Sequence, residues 1–134
     1  MQDFTHDQIN DIAIAYCDMA RSLNEFQVLH WPELTHEQQL DLNAYQNSLL
    51  TRAHDIQNRT TRPAFSDPSQ IATRIRLATE KAQKSLQRIN NLPIALNVGA
   101  ITVAIASYTA RANSQGIDVL LRELDDLENY HNGN

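Results

Sequence analysis

The start of a helix is written three times in this chain. Thr5-His6-Asp7-Gln8, Thr35-His36-Glu37-Gln38 and Asp67-Pro68-Ser69-Gln70 each set a capping side chain three residues ahead of a glutamine, and an amphipathic run follows each. In a capping box the first side chain accepts the N–H at the third helical position, and the side chain there reaches back to the cap's own N–H. Two orphan donors at the helix start are satisfied together. Three such starts in 134 residues point to an all-helical bundle. The first two boxes share further residues at the same offset, Asp11-Ile12 against Asp41-Leu42. Capping chemistry alone explains that likeness, so it is read as convergence rather than as an internal repeat.

Apolar spacing extends each start into a helix. Ile12, Tyr16, Met19, Leu23 and Phe26 make one stripe of a first helix from His6 to His30, and Phe4 is placed to staple onto Ile9. Pro32 ends it by pushing Trp31 out of helical conformation. A second helix begins at His36, carries Leu42, Tyr45, Leu49, Ala53 and Ile56 inward, and fades near Arg59. Residues 60–66 read as a loop, with Phe65 a plug over the bundle end. A third stripe runs through Ile71, Ile75, Ala78, Ala82, Leu86 and Ile89. Continued to Arg111 it would be about 65 Å long beside neighbours of about 40 Å, at 1.5 Å per residue. Asn90-Asn91-Leu92-Pro93 offers a cap and a first-turn proline, so a break or sharp kink is expected there.

Ile94 to Ala112 is apolar nearly all round, which suits a helix at the dry centre of a bundle or oligomer. It approaches membrane-spanning length, but Asn97, Gly99, Ser107 and several alanines dilute it, and insertion is not expected. The small residues Gly99, Ala100, Ala104 and Ala106 suggest close approach of a neighbouring helix. Gln115 to Tyr130 reads as an amphipathic last helix, its inner side Ile117, Leu120, Leu121, Leu124 and Leu127, with Glu128 among the acids largely opposite; residues 130–134 are expected to fray. One domain holds all of this. Cys17 is the sole cysteine, expected to be a half-buried small hydrophobe. No basic-then-apolar leader opens the chain, so a cytoplasmic location is expected.

Charge is distributed unevenly. The net value is −5, yet residues 52–88 hold eight bases against three acids, while the region before them holds eight acids against Arg21 alone. Arg74, Lys81, Lys84 and Arg88 fall on one flank of the third helix. The flank is expected to face the acidic first helix, within the molecule or across a dimer, or to take an acidic protein partner. Nucleic acid is not expected, since the chain is acidic overall and no aromatics interleave with the bases.

Candidate chemistry is thin. A di-iron bundle needs two Glu-x-x-His pairs, and only Glu33-Leu34-Thr35-His36 has that spacing, across a loop and a helix start. His6 and His36 occupy first-turn positions; His30 and His54 are the remaining metal candidates, weak ones. No Gly-x-Ser-x-Gly elbow, Walker loop or Cys–His pair occurs, and no cofactor is implied. Asn43, Asn47, Tyr16, Tyr45 and Asn97 lie near the inner stripes and are expected to form a buried network that holds register. The expectation is therefore an antiparallel bundle of four to five helices acting without catalysis, as a self-associating or protein-binding module, with a homodimer motivated by more apolar stripe than one small bundle covers. The alternative is a small-ligand or metal site near His30, Tyr45 and His54.

Overall fold

The computed structural model describes residues 1–132, with side chains through 129. The described residues form five α-helices: α1 (His6–Leu29), α2 (His36–Gln57), α3 (Pro68–Leu86), α4 (Leu92–Ala110) and α5 (Ser114–Asn132). A 3-10 turn at Trp31–Glu33 links α1 to α2. Of the residues expected to fray, 130–132 continue α5 as helix and 133–134 lie outside the described residues. Consecutive helices joined by short loops run antiparallel, as α1/α2, α3/α4 and α4/α5 do. The packing also brings together helices of the same direction: α1 with α3, α2 with α4, and α3 with α5. Four helices form a ring in the order α1, α2, α4, α3, and α5 lies outside against α4 and α3.

The first two capping boxes form in full. Thr5 Oγ1 accepts the Gln8 N–H at 3.2 Å and Gln8 Oε1 accepts the Thr5 N–H at 2.9 Å. Thr35 and Gln38 repeat this at 3.1 and 2.9 Å. The third is half of a box: Asp67 Oδ1 accepts the Gln70 N–H at 3.1 Å, with Pro68 in the first turn. The expected interruption is a complete break. α3 stops at Leu86, and Asn91 starts α4 by accepting the Ile94 N–H on Oδ1 at 3.2 Å. Asn113 does the same for α5 through the Gly116 N–H at 2.9 Å.

α4 packs against α2, α3 and α5 and buries Ala95, Val98, Thr102, Ile105 and Ala106. Among the described residues it is the one helix long and apolar enough to cross a membrane, and here it is a packed member of the bundle. None of its large apolar side chains is exposed, although Leu96, Ile101 and Val103 are only half-buried. Close approach occurs at Gly99, where a Cβ would stand 3.0 Å from the Tyr45 ring and 3.1 Å from Leu23. Ala100 and Ala104 face partly outward instead.

One feature of the fold was not legible from periodicity. Gln2–Asp3 pairs antiparallel with Ala64–Phe65, forming a two-residue ladder that ties the N-terminus to the α2–α3 loop. Phe65, 1% exposed, stacks on Phe4 with ring centroids 5.3 Å apart, so the expected plug is a pair of rings.

Candidate functional site

α3 and α5 run side by side in the same direction, in register. Arg74 Nη1 donates to Asp118 Oδ1 at 2.6 Å, Lys81 Nζ to Asp125 Oδ1 at 2.8 Å, and Ser85 Oγ to Glu128 Oε2 at 2.7 Å. The sequence offset is 44 residues for the first two and 43 for the third. A seven-residue step is about two turns, so each helix lays its contributing residues along one stripe, as in a parallel coiled coil. Both ion pairs are open to solvent and contribute little stability singly; their effect is to set register.

Beside this ladder lies a groove of about 330 Å³. Its floor is Leu77, Ala78, Leu121 and Leu124, its rim carries Arg74, Lys81, Arg122 and Asp125, and the buried Glu128 lines it from within. Leu77 is 53% exposed, a large apolar side chain standing in the groove with little cover. Arg122 makes no ion pair with any described residue.

The charges along the groove act on one another. The hydrogen bond from Lys81 holds the Asp125 carboxyl below its ordinary value, and the same bond raises the Lys81 ammonium. Glu128 is 1% exposed, and burial pushes its carboxyl up, against the opposing pull of the Ser85 hydroxyl and Lys81. Sequence reasoning missed this residue by setting it on the outer face of the last helix. Ile117, Leu121, Leu124 and Glu128 follow four- and three-residue steps, so the signal for an inward carboxylate was present. Ser85 interrupts the stripe of α3 in the same way.

The basic flank has a different neighbour from the one expected. Arg74 and Lys81 face α5, not the acidic α1, because α5 returns in the direction of α3. Their charges are matched within the molecule. Lys84 and Arg88 continue the flank as exposed residues. What looked like a bare basic strip is a rim of both signs.

His30, Tyr45 and His54 do not converge. His30 closes α1, stacks on Phe26 at 4.3 Å between ring centroids, and pairs with Glu33 at 3.3 Å. His54 is exposed in the last turn of α2, where Asn58 Nδ2 lies 2.9 Å from its Nε2. About 27 Å of helix, at 1.5 Å per residue, separates the start of α2 beside His30 from His54. Tyr45 lies between them, half-buried against Gly99. The two histidines cannot hold one ion. Among the described residues, no three His, Cys, Asp or Glu side chains are grouped to hold a metal.

The expected buried network does not form; of its members only Asn43 joins a polar cluster, which centres on Gln27 between α1 and α2. Gln27, 4% exposed, donates to Asn43 Oδ1 at 3.0 Å and to the Gln39 carbonyl at 3.3 Å, and accepts from Gln46 Nε2 at 2.7 Å. Asn47 and Asn97 are exposed and take no part. Tyr16 is buried, its hydroxyl beside the Thr109 side chain without a well-formed hydrogen bond. Cys17 is exposed rather than half-buried, because it lies one residue past the stripe that Tyr16 and Met19 define. A further apolar patch, Val28, Leu29 and Trp31, stands exposed where α1 ends. Comparison with family models, curated proteins and solved structures returns no match to this chain.

Proposed function

We propose that the protein is a non-enzymatic, self-associating helical module of the cytoplasm, and that a second copy of the chain covers the α3/α5 groove. The observation that carries this reading is the groove's apolar floor inside a rim of both charge signs. A two-fold interface brings one surface against itself, so it needs bases and acids on the same patch. Arg74, Lys81 and Arg122 beside Asp125 supply that self-complementarity. An acidic partner or a nucleic acid would instead favour a surface of one sign, and the Asp118 and Asp125 carboxylates oppose it. Leu77, the most exposed apolar side chain of the groove, then lies at the two-fold axis.

Light scattering on the eluting protein tests this directly. The expected mass is twice 15.2 kDa at micromolar concentration. Leu77→Asp, a change at an exposed position, is expected to return the single-chain mass with helicity unchanged. A wild-type protein that runs as one chain, or a Leu77→Asp variant that stays a dimer, overturns the proposal.

A further inference from the structure

On the opposite side of the bundle two guanidinium groups share one acceptor. Arg52 Nη2 of α2 reaches Ser107 Oγ at 3.5 Å, and Arg111 Nη2 donates to the same oxygen at 2.9 Å. Neither arginine forms an ion pair with any described carboxylate. Arg111 stands at the C-terminus of α4, where the helix dipole favours a cation, and lies over the Tyr108 ring at 5.0 Å. That accounts for one guanidinium, not for two brought to a neutral hydroxyl.

The third group is Tyr16. Its side chain is 2% exposed, and its hydroxyl lies beside the Thr109 side chain without completing a well-formed hydrogen bond. A buried phenol ordinarily finds one. Tyr16 lines a cavity of about 10 Å³, shared with Arg52, Thr61 and Thr109. Burial pushes the phenol up to about 12, so it keeps its proton and serves as a donor throughout the neutral range. Two guanidinium forks and a phenol O–H are all donors, and two of the three carry positive charge. Planar guanidinium groups match the oxygens of phosphate and carboxylate groups in bidentate geometry.

We propose that Arg52, Arg111 and Ser107 form a binding site for a phosphate group on the α2/α4 face, with the Tyr16 hydroxyl at its inner edge. The small cavity admits no more than one water. The anion therefore sits above Ser107 between the guanidinium groups, and the phenol reaches it through one water in that cavity. The site is independent of the self-association reading: it lies on α2 and α4, whereas the groove belongs to α3 and α5.

Titration of isotope-labelled protein with inorganic phosphate, and separately with glycerol phosphate, at constant ionic strength tests the site by amide NMR. Saturable shifts at Ser107, Arg111 and Thr61 are expected, weakened about tenfold by Arg111→Gln and unchanged by Lys84→Gln. Binding of both probes assigns the site to phosphate monoesters, and binding of inorganic phosphate alone assigns it to the free anion. Shifts that do not saturate, that centre on Lys84 and Arg88, or that survive Arg111→Gln overturn the proposal.

Discussion

At Ala112 and Arg59 the backbone takes φ of 54° and 56°, the left-handed region that closes a helix at the residue after its cap. A Cβ is strained there, and glycine removes the strain at some cost in unfolded-chain entropy. Ala112→Gly is expected to stabilise the fold by about 0.5–1 kcal/mol, read as a raised urea midpoint; a lowered midpoint would contradict the account. Neither position was legible from residue type, because alanine and arginine are ordinary helix formers. The caps at Thr5 and Thr35 were legible because their partners lie three residues away. Cys17 and Glu128 were misjudged for a shared reason: one step around the wheel turns an inner position into an outer one, and only the packed neighbours decide which.

On α5, Asp125 and Glu128 sit three residues apart and respond to pH in opposite senses. Asp125 is held below its ordinary 3.8 by Lys81, so its contribution is present above that value and is lost as pH falls through the folded-state value. Glu128 is raised above 4.5 by burial, so the folded state binds its proton more tightly, and stability is lost as pH rises from 4.5 through the folded-state value. The melting temperature is therefore expected to peak in mildly acidic solution. Glu128→Gln keeps an acceptor for the Ser85 hydroxyl and is expected to flatten the high-pH limb while leaving the acid limb in place. A Glu128→Gln profile that matches wild type would refute this assignment. Helix extents were readable from caps and stripes, whereas helix neighbours were not. The flank of α3 meets residues 44 positions later in the chain, and no local pattern records which helix returns to cover it.

Across the whole molecule, α4 is one wall of the four-helix ring, packed on α2, α3 and α5, and not a central rod that every other helix wraps. Its sequence lacks a polar face, and that lack made it readable as a core helix before any packing was known. Ile105 is 2% exposed, and Ile105→Ala is expected to cost about 2–5 kcal/mol in denaturant unfolding through lost burial and an unfilled cavity. A loss well under 1 kcal/mol would place α4 outside the core. The surface was harder to read. A row of bases suggested a charged strip, but charge alone could not show that α5 would neutralise half of it and leave Leu77 in an apolar groove.

Oxidative cross-linking tests the proposed dimer face most directly. With Cys17→Ser removing the native thiol, Leu77→Cys is expected to form a disulfide-linked dimer of twice the chain mass, since a two-fold axis through the groove sets position 77 against its copy. Leu29→Cys, in the other exposed apolar patch, is expected to remain a single chain. Failure of Leu77→Cys to cross-link, or equal cross-linking at Leu29→Cys, would contradict the account.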